Sequence, residues 1–429
     1  MQRIDNYYSS TANDAREYPQ LNGDISCDIA IVGGGLTGVA TAVELSELGY
    51  SVVLLEANRI GWGASGRNGG QVTGSLSGDS AMLKQLKQRD GSDAAKFIWD
   101  LRWRGQDIIK QRIAKYQIEC DLIHGHLHTA WSKKAIPELK QTLHDAEIWG
   151  FDGHLEWLET EALHKLINTP LYHGGLYNKR NFHVHSLNLC LGEARAAASI
   201  GCRIFEQTTV TKLNTKTSPV LVTEHGKINA KIVVLAGNAY HRLCQQQLNG
   251  LLVPAILANM TTEPLSDQQL TELNPQRLAV YDSRLVLDYY RFTADNRLMF
   301  GGGTNYSGRD VNNVRASLRP ALEATFPTLK GINIDHAWTC TAGIVPNRIP
   351  LLGRAQKNVY YCQGYSGHGI ASSHILAEIL AQALHGEISR FDTFSQFKHR
   401  KVPFGQQLGN PLMTIGMAYY RMKEQLTDH

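Results

Sequence analysis

The chain has 429 residues, 43% hydrophobic and 19% charged, with a formal net charge of +4. That length suits two interleaved domains or one large α/β unit, and the composition is enough to bury a substantial core. The small basic excess gathers into no lysine- or arginine-rich tract, which argues against nucleic acid as a partner. Seven scattered cysteines, none in a C-x-x-C pair, fit a reducing cytoplasm. The opening MQRIDNYYSSTANDAREYPQ lacks the apolar run of a signal peptide, and no stretch approaches the ~18 apolar residues of a membrane span.

The first predicted elements are a strand over 29–32, a helix over 36–48 stopped by Gly49, and a strand over 51–55 that delivers Glu56. Between them Gly33, Gly35 and Gly38 set a G-x-G-x-x-G spacing, with Leu36 and Thr37 opening the helix. Such glycines allow a tight turn, close backbone approach to a pyrophosphate and close packing of helix on strand, while the helix N-terminus faces the phosphate charge. Glu56 stands where an acid holds ribose hydroxyls. The next stretch, GWGASGRNGGQ over 61–71, has almost no side chains. A simple NAD domain would pass here into another helical crossover; a long glycine-rich loop suits the longer FAD.

At ASGRNGGQ the sequence resembles the D-amino-acid oxidase-like flavoprotein superfamily, which includes the glycine and sarcosine oxidases. It is most similar there to the bacterial γ-glutamylputrescine oxidases. The likeness runs through NYYSSTAND, RIGWGASGRNGGQ, LDYYRFTADNRLMFGGGT, GYSGHGIASSHILAE and PLMTIGMAYYRMKEQL, nearly the whole chain. It implies an α/β fold in which a Rossmann-type FAD-binding domain is interleaved with an antiparallel-sheet substrate domain, followed by a C-terminal helical tail. By this resemblance Ser65, Arg67 and Asn68 contact the pyrophosphate and flavin, and Gly69, Gly70 and Gln71 pass beside the isoalloxazine ring. Val210 lays a backbone amide on the adenine. Ala236, Gly237, Gly343, Gly364, Gly367, His368, Gly369 and Ile370 complete the expected cofactor site.

The expected organisation is an N-terminal extension (1–25), an FAD-binding domain (26–80, 151–250 and 336–390), a substrate domain (81–150 and 251–335) and a tail (391–429). Within it, LVLDYYRF and NRLMFGGG read as a hairpin joined at Thr293, Ala294 and Asp295. Residues 370–384 form a helix with Ile370, Leu376, Ile379, Leu380 and Leu384 inward, ended by Gly386. In the tail, Leu412, Ile415, Tyr419, Met422 and Leu426 make an amphipathic helix. It either docks internally or, through Arg421 and Lys423, meets a membrane surface or an electron-accepting partner.

Amine oxidation requires a neutral amine beside the flavin and a positive field for the reduced ring. Gly367 and Gly369, opening a helix, would aim N–H groups at that ring, with His368 beside it. Tyr290 and Arg291 fall on the strand that lines the substrate side in sarcosine oxidase-like enzymes; alternation sends them to opposite faces, and Tyr290 is the expected active-site residue. Ala342 replaces the arginine that grips a substrate carboxylate in the amino-acid oxidases, and Arg348 lies far along the chain from that place. The expected substrate is therefore an amine without an adjacent carboxylate, γ-glutamylputrescine above all, oxidised to the aldehyde with ammonia and hydrogen peroxide released.

Met299 stands near the lysine that activates O2 in the sarcosine oxidase-like enzymes. This leaves His368 or Arg67 as the oxygen-facing cation, or a quinone or carrier protein as acceptor. A non-catalytic flavin-binding regulator is a third alternative. Cys340 falls near a cysteine that bonds flavin covalently in some members, but non-covalent FAD is expected. The histidines His124, His126, His128, His183 and His185 lack the acidic or cysteine partners of a familiar metal site.

Overall fold

The computed structural model describes residues 6–14, 16–74, 76–90, 94–150, 153–240, 242–402, 405, 410, 411 and 413–415. The strand Ile25–Val32 is the axis of the first sheet, pairing in parallel with Val52–Leu55 on one side and Lys227–Leu235 on the other. Arg203–Phe205 and Val359–Gln363 extend it in parallel at the two sides, and Leu351–Gln356 closes one edge antiparallel. Alternation along the strands divides the core. Ile29, Ile31, Val52 and Leu54 pack under the helices Leu36–Glu47, Ser186–Ser199 and Gly369–Leu384, whereas Ala30, Val53 and Leu55 face Leu221, Leu248, Leu252 and Val345.

The second sheet has nine strands in the order Ile334–Ile344, Val253–Pro264, Arg297–Asn305, Tyr289–Phe292, Ala279–Asp282, Ile123–Thr129, Gly175–His183 and Gln71–Val72, with Leu155–Leu158 also paired to Gly175–His183. Its pairings are antiparallel except for Ala279–Asp282 against Ile123–Thr129. The helix Val314–Thr325 buries Leu318 and Leu322 against a core that includes Met260, Phe292 and Phe300.

Sheet membership divides the chain differently from the expected domain spans. Leu155–Leu158 and Gly175–His183, placed by sequence with the nucleotide domain, hydrogen-bond in the second sheet, as do Gln71–Val72 and most of Ile334–Ile344. The chain crosses between sheets inside single stretches of ordinary composition, so no linker marks the crossings. The expected hairpin begins only at Tyr289, because 283–288 is loop, and Asn296 turns it in the left-handed region at φ 66°. In the tail, Leu412, Tyr419, Arg421, Met422, Lys423 and Leu426 lie outside the described residues, while Ile415 is 69% exposed.

Beneath the helices lies a buried ionic cluster. Arg112 reaches Glu193 at 2.9 Å and Glu44 at 2.5 Å, and His374 Nε2 meets Glu193 at 2.8 Å. Burial pushes the Glu193 carboxyl up, but His374 and Arg112 outweigh it and hold the pKa at about 2. Removing one partner strands the others in low dielectric, so Glu193→Gln should lower the unfolding free energy by about 3–5 kcal/mol in chemical denaturation. The carboxylate's folded pKa lies below its unfolded value of ~4.3, so its stabilisation is complete above that value and fades as pH falls toward the folded one. The difference between wild type and variant should shrink over the same window.

Candidate active site

A cavity of ≈ 1260 Å³ runs between the two sheets, larger than the ~300–1,000 Å³ of ordinary ligand sites. At one end the turn after Ile25–Val32 carries Gly33, Gly35, Leu36 and Thr37, with Ala236 and Gly237 beside it. Gly33 sits at φ 115°, where a β-carbon would come 2.8 Å from the Ala236 carbonyl oxygen, so the two strand ends close together only through glycine. The helix Leu36–Glu47 has a glycine N-cap and no cap from its own side chain; Ser65 Oγ accepts from Leu36 N at 2.9 Å. Glu56 lines the same end, its two oxygens accepting from Gly34 N at 2.7 Å and Asn58 N at 2.8 Å, and burial pushes its carboxyl up despite those bonds. Val210 also lines it.

The middle is the strip 68–71. Asn68 Nδ2 donates to the Ala64 and Ser65 carbonyls and to Ser186 Oγ, while its Oδ1 accepts from Gly70 N at 2.7 Å, knotting the loop into one shape. Gly69 has Tyr289 so close that a β-carbon would meet the ring at 2.5 Å. Gln71 Nε2 donates to the Val280 and Tyr290 carbonyls, and its Oε1 lies 3.1 Å from His126 Nε2.

At the far end the helix Gly369–Leu384 points its N-terminus into the cavity, lined by Gly367, His368, Gly369 and Ile370, with no side-chain cap. Tyr365 joins the two helix starts, its hydroxyl 2.7 Å from Thr37 Oγ1. Gly343 lines the wall opposite, and its carbonyl accepts from Ser366 N. His368 Nδ1 is buried with no hydrogen-bond partner among the described residues. Burial holds His368 below the usual histidine range, partly offset by Asp79, with Arg348 pushing it further down. Burial thus favours the neutral ring.

Four expected residues lie outside the lining. Gly38 is structural: a β-carbon there would overlap the Gly33 carbonyl oxygen. Gly364 forms the turn behind the wall, its N–H donating to Asn238 Oδ1. Arg67 turns its guanidinium away to the Gly63 and Thr339 carbonyls and the Tyr240 hydroxyl, over the Trp62 ring. Tyr290 is the substantive correction. It stacks in the second core against Phe300 and Phe326, while its neighbour Tyr289 faces the cavity with its hydroxyl 2.9 Å from Asn259 Oδ1. Alternation was the right rule applied to the wrong tyrosine of a doublet.

Arg291, on the Tyr289 side, stays behind the wall and donates to the Gly69 carbonyl at 2.8 Å and the Tyr8 hydroxyl at 3.0 Å. Met299 is also behind it, its sulfur accepting from Tyr8 at 3.5 Å. Cys340 does line the cavity, and burial pushes its thiol up to about 11. Sequence reasoning missed Asp79, Tyr281, Arg284 and Tyr306, which also line it. Asp79 opens the helix Asp79–Asp90.

A helix start at Gly369 with no side-chain cap and a glycine-lined turn that a side chain would fill fit FAD, which residues 33–37, 68–71 and 367–370 would hold. The fold and this cavity define a flavin-dependent oxidoreductase. The family model for FAD dependent oxidoreductases matches residues 28–383, and the chain belongs to that family. It is 39% identical over 421 residues to the γ-glutamylputrescine oxidoreductase of Escherichia coli (strain K12), covering 98% of both chains. It is 32% identical to the probable oxidoreductase OrdL of Haemophilus influenzae, covering 99% of this chain and 98% of that one. Among solved structures, glycine oxidase from Geobacillus kaustophilus aligns with a TM-score of 0.72 at 20% identity, over 87% of this chain and 99% of that one, a likeness of fold. The protein is an enzyme. Among the described residues no helix is long and apolar enough to cross a membrane.

Two predictions test the assignment of residues. Gly33→Ala adds about 1–3 kcal/mol of backbone strain and a clash, so the purified protein should carry less than half the wild-type flavin per chain. Tyr289→Phe should lower kcat/KM about tenfold or more by unpairing Asn259, whereas Tyr290→Phe should stay within about threefold, because its ring lies in the second core and outside the cavity lining.

Proposed function

We propose that the enzyme oxidises the primary amine of a γ-glutamylated diamine, γ-glutamylputrescine above all, using non-covalent FAD and O2. The balance is R–CH2–NH2 + O2 + H2O → R–CHO + NH3 + H2O2. The observation that carries the reading is Ala342. This residue lines the cavity where an amino-acid oxidase would present an arginine, and with Leu257 and Ile344 it leaves an apolar wall. An amine whose neighbouring carbon bears no carboxylate suits such a wall, and a desolvated surface disfavours its ammonium form. The near full-length likeness to a γ-glutamylputrescine oxidoreductase supports the same substrate class.

FAD, when bound, supplies the two-electron acceptor. The chain's own part is to orient and to exclude water. Tyr289, fixed by Asn259, and the 68–71 strip define the substrate side, and the start of Gly369–Leu384 presents N–H groups where negative charge develops. His368 stays neutral and offers a hydrogen bond rather than a charge. The raised Cys340 pKa supports non-covalent FAD, because the thiolate is the nucleophile that attachment needs. The seven free cysteines support a reducing cytoplasm. No lysine lines the cavity among the described residues, which supports a second reading in which a quinone or carrier protein accepts the electrons.

Anaerobic γ-glutamylputrescine should bleach the flavin, and air should restore it with one peroxide per amine consumed. Recolouring that needs an added quinone would favour the second reading, and no bleaching would defeat both. The kcat/KM should rise with pH toward the amine's own ionisation near ~10, with no limb near pH 6.5 from His368, in a stopped-flow reduction profile.

A further inference from the structure

We propose that Arg348, with Tyr306, forms a subsite for the carboxylate at the end of the substrate remote from the reacting amine. This rests on the reading of the substrate above and extends it to the other end of the molecule.

Three arginines line the cavity among the described residues: Arg242, Arg284 and Arg348. Arg284 is committed, with Asp282 at 2.5 Å, Asp288 at 2.6 Å and the Trp131 ring 3.8 Å from its guanidinium carbon. Arg242 is exposed and follows the turn at the end of Lys227–Leu235. Arg348 is half-buried, and among the described residues no carboxylate lies within ion-pair distance of it; its guanidinium donates to the Tyr306 hydroxyl at 3.4 Å. The acid nearest this end, Asp79, is already paired with Arg102 through two N–H donors at 3.1 and 2.6 Å. Arg348 therefore leaves an uncompensated positive charge at this end of the cavity.

The position is built rather than accidental. Arg348 sits at φ 65°, a left-handed conformation that residues with a β-carbon seldom take. Its N–H donates to the Val345 carbonyl at 2.8 Å. Gly78 packs against it so tightly that a β-carbon there would stand 2.8 Å from the Arg348 carbonyl carbon. The guanidinium also depresses His368, which places it at the flavin end rather than the adenine end. A carboxylate there would take paired N–H bonds from Arg348, and the Tyr306 hydroxyl is free to donate a third. The same charge repels a free diamine, whose far end is a second ammonium. One arginine thus selects by attraction and by repulsion.

The test separates binding from turnover. Calorimetric titration of the FAD-loaded enzyme with γ-glutamylethylamide, which keeps the glutamyl head and has no second amine, reads the subsite alone. Arg348→Met should weaken its Kd by roughly 10–100-fold, and Arg348→Lys should recover part of that. The selectivity for γ-glutamylputrescine over 4-aminobutanoylputrescine, which lacks the α-carboxylate, should fall by the same factor. Flavin content and melting temperature report whether each variant folds; if Arg348→Met does not, Arg348→Lys and Tyr306→Phe carry the test with smaller losses. An unchanged Kd, or equal losses on the two amines, would overturn the subsite. If wild-type enzyme oxidises γ-glutamylputrescine while Arg348→Met keeps its selectivity, the subsite alone is wrong. If wild type oxidises only amines without a glutamyl group, the substrate reading fails and takes the subsite with it.

Discussion

The cavity depends on one constraint: a strip of backbone, residues 68–71, must pass between the two sheets with no side chain toward Tyr289. Gly69 leaves that ring the space a β-carbon would occupy, and the Gly69 carbonyl is held from behind by Arg291. Asn68 fixes the near end and Gln71 the far end, the latter through carbonyls on two strands of the second sheet. The strip therefore belongs to both sheets. Its rigidity comes from hydrogen bonds rather than packing, because it has almost nothing to pack. A long planar ligand beside it meets backbone that does not need to reorganise.

Charge is placed around that strip with the same economy. Behind it, Arg291 is 2% exposed and surrounded by neutral acceptors: the Gly69 carbonyl, the Tyr8 hydroxyl and, at 3.4 Å, the His183 ring. Burial, with Arg291 beside it, keeps His183 well below its usual range, so it does not add a second charge. In front, the N-termini of two helices open into the cavity, joined by the Tyr365 hydroxyl at Thr37 Oγ1, a field suited to negative charge. Of the acidic residues that line the cavity, Asp79 is paired with Arg102, and Glu56 accepts from the Gly34 and Asn58 N–H groups.

Much of the nucleotide half was legible in the sequence, because its signals are local. A strand, three glycines, a helix and a terminal acid occur within about 30 residues, as the βαβ unit requires. The far helix start at 367–370 was legible for the same reason. The substrate half was less so. Tyr289 and Tyr290 form a doublet in a strand buried on both faces, where apolar content no longer tells inside from outside, and a one-residue choice of register decides which ring meets the ligand. Arg67 sits in the right loop, but its rotamer is set by Thr339 and Tyr240, which lie far away in sequence. Arg348 was set aside for its distance from the expected clamp; the left-handed turn that brings it to the cavity is set by Gly78, some 270 residues earlier. Sheet membership was equally hard to read, since hydrogen-bond partners across a sheet leave no mark in local composition.

The most direct test of the account is a crystal structure of the FAD-loaded enzyme with γ-glutamylethylamide. The account predicts the flavin ring alongside residues 68–71, its pyrimidine edge at the start of Gly369–Leu384, and Tyr289 on the ligand side with Tyr290 buried behind. A ring placed away from the 68–71 strip, or a ligand lying against Tyr290, would contradict it.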